Sequence, residues 1–487
     1  MRGQGALGMA KVEAIVDDAA SRLRLPSVAV GVSLAGEEGF SVAGHRAFLI
    51  KPADADTVYR IGSCSKAFIA ASVLLLQEEG RLDIDSPVVG YLPGLRFYNE
   101  ELTAQVTPRD MLCHRTGLPR HDIASFANQQ RTLAQMAEAV RYLEPAYGLR
   151  ERFHYQNHMY GVLSLLVEAV SGQPWGQFVQ ERILGPLGMA RTFTRCGAQW
   201  QADDDYARSL TLAGRANIPF INSNDDSTGG AGSISASIRD LLAWVRLNLG
   251  RGRFQGREVL PEAVFAEMHR PQMAVEKGEA SIADLPFVSD TSYGMGWYLQ
   301  RYHGEPLVVH GGVVFGFRAM VGFLPGRGFA FAVLANQNDT VACDAIARSL
   351  CDAVLGEAPY DWVSACRGIR DSARAKKQEE IKRLTAPSSE AVEGEEGLVG
   401  YYEHPAYGRC QVRRRAGRLV LSYAGLNLRL KPRAAGGFVV YSKLANMAFP
   451  CRFEGSGQQA AALSIKLDED LGSFIRFDRT EPPVGSG

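Results

Sequence analysis

Apolar residues recur at helical spacing in several stretches of the first 360 residues. The longest stretch, Ile61–Leu82, contains no proline and ends near Gly80, a residue that favours helix termination. The same periodicity predicts shorter helices at Lys11–Leu23, His158–Ser171, Ile238–Leu249 and Asp344–Leu355. The segment from about residue 100 to residue 270 is therefore expected to be rich in helices with long connections.

Short apolar runs predict buried strands on both sides of this helical region. They lie at Val28–Leu34 with a return strand at Ser41–Ala43, and at Leu307–His310, Met320–Leu324 and Phe329–Ala335. A Pro-Gly-Arg-Gly turn at residues 325–328 joins the last two strands in a hairpin. The pattern predicts an α+β or α/β domain over residues 10–365 whose sheet combines both ends of that segment.

The composition changes after residue 365. Charged residues dominate as far as Leu384 and Pro387-Ser388-Ser389 follows, which predicts an exposed charged helix and a linker over residues 366–396. Short alternating stretches then predict a small β-barrel or sandwich over residues 397–482. These stretches are Cys410–Arg414, Arg418–Tyr423, Asn427–Pro432, Gly437–Ser442, Cys451–Glu454, Leu463–Leu467 and Ser473–Phe477.

Length, charge and cysteine spacing restrict the function classes. The chain of 487 residues is too long for one ordinary domain, and its 53 Lys and Arg residues balance its 53 Asp and Glu residues. This balance gives no electrostatic reason to bind nucleic acid, and no apolar run reaches the roughly 18 residues of a membrane span. Met1–Asp18 lacks the apolar core of a secretory signal, so we expect a cytoplasmic protein. The eight cysteines include no CxxC pair, which argues against a zinc or dithiol redox site.

The first chemical motif, Ser63-Cys64-Ser65-Lys66, lies at the start of the strongest predicted helix. Ser63 and Lys66 are three residues apart and therefore share one helix face. A serine hydroxyl is a weak nucleophile that needs a nearby base, and a lysine serves as one when burial or nearby cations depress its pKa. The motif alone is common in surface helices, so its surroundings decide its meaning.

Those surroundings resemble the family of class C β-lactamases, serine D-Ala-D-Ala carboxypeptidases and related esterases, in which Ser-x-x-Lys opens a buried helix. Tyr155-Gln156-Asn157 is similar to the Tyr-x-Asn element of the class C enzymes. The resemblance implies that Tyr155 shuttles a proton between nucleophile and leaving group, and that Asn157 holds Lys66 and a substrate amide. Further family-like stretches are Phe68–Ser72, Glu79–Val88, Thr107–Leu118, Gly229–Ser233, Tyr293–Trp297 and Leu334–Asn336.

The third motif, His310-Gly311-Gly312, ends the strand predicted at Leu307–His310 and resembles the Lys-Thr-Gly motif of the family. It differs by having His in place of Lys and Gly in place of Thr, as in many esterases and peptidases of the family. Gly311 and Gly312 let a substrate backbone lie against the strand edge.

The same resemblance implies further roles near the third motif. The backbone N–H groups of Ser63 and Val313 are expected to form the oxyanion hole. Arg318 is a candidate partner for a substrate carboxylate.

The resemblance covers about residues 10–360 and implies an α+β fold of the β-lactamase/transpeptidase type. That fold has an antiparallel sheet flanked by helices and an all-helical subdomain. The C-terminal segment, with Gly400-Tyr401-Tyr402 and Tyr407-Gly408, resembles the small lipocalin-like antiparallel β-barrel attached to many of these hydrolases. In some relatives such a barrel covers the active-site mouth or mediates assembly, which leaves homo-oligomerisation open.

The expected function is that of a serine hydrolase that forms an acyl-enzyme on Ser63 without a metal or organic cofactor. His310, largely neutral near pH 7 if unperturbed, is a poorer anion anchor than lysine. This favours esterase or D-amino-acid peptidase or amidase activity, with only weak β-lactamase activity, on a small-molecule or peptide acyl substrate. Two alternatives are an acyl transferase or peptide-cyclising thioesterase of the penicillin-binding-protein type, and a non-catalytic scaffold or binding protein.

Overall fold

A computed structural model describes residues 7–47, 51–221, 223–386, 395–433, 437–442, 447–455, 459–468 and 470–482. Its helices are α1 (Met9–Leu23), α2 (Lys66–Glu78), α3 (Glu100–Gln105), α4 (Pro108–Leu112), α5 (Asp122–Ala127), α6 (Leu133–Ala139), α7 (Asn157–Ser171), α8 (Trp175–Val179), α9 (Gly185–Leu187), α10 (Ala198–Ala202), α11 (Ile238–Leu249), α12 (Glu262–Met268), α13 (Ala342–Leu355) and α14 (Trp362–Leu384).

The strands of the first 340 residues are β1 (Ser27–Leu34), β2 (Glu37–Ala47), β3 (Lys51–Pro52), β4 (Val58–Arg60), β5 (Thr192–Phe193), β6 (Leu210–Ala213), β7 (Ala216–Pro219), β8 (Ser235–Ser237), β9 (Arg253–Phe254), β10 (Arg257–Glu258), β11 (Met273–Ala274), β12 (Val288–Tyr293), β13 (Tyr298–Tyr302), β14 (Glu305–Val314), β15 (Phe317–Leu324) and β16 (Phe329–Ala335). The C-terminal strands are β17 (Gly400–His404), β18 (Gly408–Arg415), β19 (Arg418–Tyr423), β20 (Leu426–Pro432), β21 (Phe438–Ser442), β22 (Met447–Glu454), β23 (Ala462–Ile465) and β24 (Ile475–Thr480).

The central sheet joins the two ends of the hydrolase-like segment. Within the described part of the chain its antiparallel order is β11-β12-β13-β14-β15-β16-β1-β2-β3, and β1 pairs with β16 from Val28 opposite Ala335 to Leu34 opposite Phe329. Alternate residues of β1 point to opposite faces, so Val28 packs with α1 and α13 while Gly31 lies against α11. Buried apolar residues on both faces explain why β1 and β16 read as continuous hydrophobic runs.

The chain between β4 and β12 contains most of the helices, as predicted. Helices α2 and α7 pack side by side there, in the largest apolar core of the described residues. Together with the sheet, this confirms the β-lactamase/transpeptidase-like α+β fold. Of the helices in the described residues, none is both long and apolar enough to cross a bilayer.

The C-terminal strands β17 to β24 close into an antiparallel barrel, because β24 pairs back onto β17. The sequence pattern identified the later strands but missed β17, whose Tyr402 is buried inside the barrel. The predicted linker from residue 387 to residue 394 lies outside the described residues.

The charged helix α14 begins at Trp362, earlier than the predicted 366. Asp361 caps this helix by accepting a hydrogen bond from the Ser364 N–H, 3.1 Å away. The buried Trp362 indole donates to Asp352 of α13 at 2.6 Å. The first turn of α14 therefore packs into the core of the sheet domain, which composition alone did not show.

Two boundaries near the first and third motifs differ from the predictions. Strand β14 continues past His310 to Val314, because Gly311 and Gly312 stay paired with Met320 and Ala319 of β15. The predicted helix Ile61–Leu82 is shorter: a 3₁₀ turn at Gly62–Ser65 precedes α2, which ends at Glu78.

Replacing Leu334 by alanine tests whether the β1–β16 contact stabilises the fold. Leu334 is fully buried in the central strand, so the cavity should lower the free energy of unfolding by about 2–5 kcal/mol. Thermal and urea denaturation followed by circular dichroism measure this loss. The matched control is Leu212→Ala in a peripheral hairpin, where the side chain is 39% exposed and the expected change is within about 0.5 kcal/mol. Equal losses in both variants contradict the assignment of the core.

Candidate active site

Ser63 lies in the 3₁₀ turn that connects strand β4 to helix α2. Gly62 precedes it with a φ of 52°, a left-handed conformation that favours glycine. The hydroxyl of Ser63 faces the side chain of Lys66, one helical turn further on, at 3.2 Å between Oγ and Nζ. The turn therefore brings together the two residues predicted from the Ser-x-x-Lys spacing.

The Lys66 amine is fully buried, and its three neighbours explain how it can act as a base. Its Nζ lies 2.7 Å from Oδ1 of Asn157 and 2.9 Å from the carbonyl oxygen of Ala231. Both oxygens only accept hydrogen bonds, so they use both N–H groups of a neutral amine. The lone pair of that amine is then left for the hydroxyl of Ser63.

Burial determines the protonation states of this group. Loss of hydration lowers the pKa of Lys66 well below 10.5, and the positive charge of Arg120 lowers this pKa further. The enclosed position of Tyr155 raises the pKa of its hydroxyl well above 10, because burial disfavours the phenolate. Burial therefore favours the neutral amine at Lys66 and the protonated phenol at Tyr155.

Tyr155 meets both members of the first motif. The Ser63 side chain is close enough to lower the pKa of the Tyr155 hydroxyl slightly against the larger effect of burial, and the Lys66 amine lies 4.8 Å from the centre of the Tyr155 ring. The side chain comes from the loop before α7, and Asn157 is the first residue of that helix. The Tyr-x-Asn spacing thus places a phenol and an amide on two sides of one amine.

His310 lies in β14, with its ring centre 6.3 Å from that of Tyr155. Its Nδ1 is 2.7 Å from the carbonyl oxygen of Gly311, so Nδ1 carries the proton and Nε2 accepts from the Tyr293 hydroxyl at 3.2 Å. Burial lowers the pKa of His310 to about 3, and the nearby Lys66 contributes in the same direction. The imidazole is neutral and already has partners on both nitrogens.

Two glycines allow β14 to approach the nucleophile turn closely. A Cβ atom on Gly62 would lie 2.8 Å from the backbone nitrogen of Val313, and a Cβ atom on Gly312 would overlap the carbonyl of Ile61. The Val313 N–H consequently lies beside the backbone that leads into Ser63. This arrangement fits the predicted oxyanion hole, whose role for Ser63 and Val313 stays a prediction.

Arg318 lies in β15 opposite Val313, away from the Lys66 group. Its guanidinium contacts the carboxylate of Asp339 at 3.6 Å and donates to its neighbour's carbonyl at 2.9 Å. The structure thus pairs Arg318 with a protein carboxylate, and its contact with a substrate carboxylate stays a prediction.

Three residues beside the site were not singled out for chemistry by the sequence. His114, inside the family-like stretch Thr107–Leu118, holds both neighbours of Tyr155: its carbonyl accepts from the His154 N–H at 2.8 Å and its Nδ1 from the Gln156 N–H at 3.1 Å. Arg120 places its guanidinium carbon 5.0 Å over the Tyr155 ring. Asp122 accepts a hydrogen bond from Nδ2 of Asn157 at 2.8 Å. Their only signal in the sequence is proximity to the family-like stretch that ends at Leu118.

The sequence profile of the Beta-lactamase family matches residues 12–352. The chain belongs to this family. The resemblance read from the three motifs is thereby confirmed, and the matched range includes every predicted site residue.

One sequence relative of this Beta-lactamase family member is the unguisins hydrolase ungD' of Aspergillus campestris. It is 28% identical over 374 residues, which cover 72% of this chain and 68% of the relative. Among solved structures, the octameric penicillin-binding protein homologue from Pyrococcus abyssi superposes with a TM-score of 0.62 at 19% identity, covering 97% of this chain and all of the other. The D-amino acid amidase from Ochrobactrum anthropi SV3 superposes with a TM-score of 0.57 at 22% identity, covering 71% of this chain and 96% of the amidase. At these identities the two superpositions show the fold.

Gly312→Ala tests the close backbone approach in this Beta-lactamase family site. The added methyl group must push β14 away from Ile61, and the Val313 N–H moves with the strand. Labelling of Ser63 by a fluorophosphonate should slow on the order of 100-fold, the usual loss when one oxyanion donor is removed. Gly368→Ala in α14, where nothing lies within 4 Å of the new Cβ atom, is the control. Unchanged labelling of the Gly312 variant contradicts this view of the site.

Proposed function

We propose that this chain is a serine hydrolase that forms an acyl-enzyme on Ser63 and cleaves amide, peptide or ester bonds. The observation that carries the proposal is the Lys66 amine, which is buried and 3.2 Å from the Ser63 hydroxyl, and whose pKa burial lowers well below 10.5. A base in this state is what a serine nucleophile requires at neutral pH.

In the acylation step, the substrate carbonyl oxygen enters between the N–H groups of Ser63 and Val313. The Ser63 oxygen attacks the carbonyl carbon while its proton passes to Lys66, beside the Tyr155 ring. The carbonyl oxygen takes the negative charge of the tetrahedral intermediate. When that intermediate collapses, Tyr155 gives its proton to the leaving nitrogen or oxygen and regains one from Lys66.

Deacylation repeats these steps with water in place of Ser63. Water attacks the acyl carbon beside Tyr155 and transfers a proton to Lys66 through the phenol, and the Ser63 oxygen leaves as the hydroxyl. Lys66 then returns the proton taken from water to the Ser63 oxygen, while the proton first taken from Ser63 has left with the leaving group. Ser63, Lys66 and Tyr155 end as they began, and one water molecule is consumed for each acyl group released.

Two observations favour amide and ester substrates over β-lactams. The neutral, fully partnered His310 has no positive charge with which to hold the carboxylate of a β-lactam. A sequence relative is an unguisins hydrolase and a structural neighbour is a D-amino acid amidase, so neither is named for a β-lactam substrate. Within the proposal we therefore expect esterase or D-amino-acid peptidase or amidase activity.

Ser63→Ala is the direct test of the nucleophile. With the hydroxyl removed, hydrolysis of a p-nitrophenyl ester should fall by several orders of magnitude, and mass spectrometry should find the fluorophosphonate adduct on Ser63 of the wild type only. Ser72→Ala, which removes a buried hydroxyl further along the same helix, is the matched control. Full hydrolase activity in Ser63→Ala excludes the proposal.

The pH dependence of kcat/KM tests the protonation states. Activity requires the unprotonated Lys66 amine, so it should rise with pH through the pKa of Lys66 and then reach a plateau. Because burial lowers that pKa, the rise should be centred well below pH 10.5. Because the pKa of Tyr155 is raised well above 10, no alkaline loss should occur before that value. A rise in activity centred near the ordinary pKa of lysine contradicts the assignment of Lys66.

A further inference from the structure

We propose that Arg120, His121 and Asp122 form a positioning segment that orients Asn157, Lys66 and Tyr155, and that the C-terminal barrel holds this segment in place. The inference rests on the proposed function, because it assigns these residues a part in the acyl-enzyme chemistry of Ser63.

Asp122 fixes the orientation of the Asn157 amide. Its Oδ1 accepts from Nδ2 of Asn157 at 2.8 Å, and the other end of that amide, Oδ1, lies 2.7 Å from Nζ of Lys66. A carboxylate has no donor, so it binds only the NH₂ end of the amide. Without Asp122 the amide is free to rotate by half a turn and to direct its own N–H groups at the Lys66 amine. The Lys66 lone pair would then no longer be held toward Ser63.

Arg120 connects the same carboxylate to the phenol. Its Nε donates to Oδ2 of Asp122 at 2.7 Å, while its guanidinium carbon lies 5.0 Å from the centre of the Tyr155 ring. A cation in this position attracts the ring and favours negative charge on the phenol oxygen during proton transfer. The side chains of Arg120 and Asp122 are 50% and 44% exposed, so both are accessible to solvent.

His121 lies between these two residues and is buried against the barrel, with only 2% of its surface exposed. Its backbone N–H donates to Oδ2 of Asp468 at 3.0 Å, and its Nδ1 contacts the hydroxyl of Tyr407. Its φ of 47° is unusual for a residue with a side chain, so these contacts hold a conformation that the isolated segment would rarely adopt.

Further barrel contacts flank His121 on both sides. The side-chain amide of Asn128 donates to the carbonyl of Ala406 at 2.9 Å, and His154 contacts the carboxylate of Asp470 at 3.1 Å. The barrel therefore touches the chain after the positioning segment and the residue before Tyr155.

Charge changes in the positioning segment should move the pH dependence of Ser63 labelling in opposite directions. The acidic limb is the part of the pH profile in which the labelling rate rises as Lys66 loses its proton. Arg120→Gln removes a cation that lowers the pKa of Lys66, so this limb should move to higher pH. Asp122→Asn removes an anion that raises the same pKa, so the limb should move to lower pH. Both variants retain the other titratable side chains around Lys66, namely Cys64, His114, Tyr155, Tyr160 and His310.

The labelling rate on the plateau above the acidic limb should report how well Asn157, Lys66 and Tyr155 are positioned. We expect Asp122→Asn to slow fluorophosphonate labelling on the order of 10- to 100-fold, the usual effect of a misplaced catalytic group. Arg120→Lys keeps the charge and should leave the acidic limb at its wild-type position. The matched controls are Arg476→Gln and Asp478→Asn, an exposed Arg–Asp pair of the same spacing in the barrel, with 2.9 Å between Nε and Oδ1.

The labelling data separate the two proposals. If wild-type Ser63 forms an adduct but both acidic limbs stay in place, or move in the same direction, the positioning segment is excluded and the proposed function stands. If wild-type Ser63 forms no adduct, both proposals are excluded.

The part played by the barrel has its own test. Tyr407→Phe removes only the hydroxyl that contacts His121 and should lower the plateau rate by about 3-fold or more without changing the melting temperature by more than a few degrees. Tyr402→Phe removes a barrel hydroxyl that binds the carbonyl of Leu398 at 2.8 Å instead, and should leave labelling unchanged. Equal labelling by both variants excludes the barrel contact from the proposal.

Discussion

The site depends on a lysine amine held without water at the start of a buried helix. A charged ammonium there would lack hydration, and only acceptor oxygens and a serine hydroxyl surround it. Burial therefore favours the neutral amine of Lys66, which has one lone pair left after donating to Asn157 and Ala231. In the proposed mechanism each other part of the site acts through this amine: Ser63 gives a proton to it, Tyr155 relays that proton, and Asn157 orients it.

Backbone geometry supplies the remaining half of the site. Strand β14 lies so close to the nucleophile turn that side chains larger than hydrogen are excluded at Gly62 and Gly312. The strand is held there by its neighbours in the sheet, in which β15 pairs with β16 and β16 pairs with the first strand of the chain. The oxyanion geometry is therefore a property of the whole sheet, whereas the base is a property of one helical turn and its neighbours.

The sequence predicted best those parts in which local pattern and burial agree. Helix α11 and strand β16 have the predicted bounds, because regular apolar spacing ends at clear turn residues. Pattern was misleading at His310, where two glycines suggested a strand end although they remain in the ladder next to another backbone. It gave no sign of Arg120 and Asp122, since charged residues two apart are typical of any exposed loop. Their importance comes from Tyr155 and Asn157, which only the fold brings near.

The pairing of the first strand with β16 has a consequence for the order in which this protein is made. During synthesis Ser63 leaves the ribosome long before Val313 and before strand β16, which pairs with β1. Until those residues emerge, Ser63 lacks the donor expected at the Val313 N–H, and Lys66 lacks the sheet that shields it from water. A nascent chain that already carries the nucleophile is thus expected to be unreactive until β14 and β16 have emerged and paired.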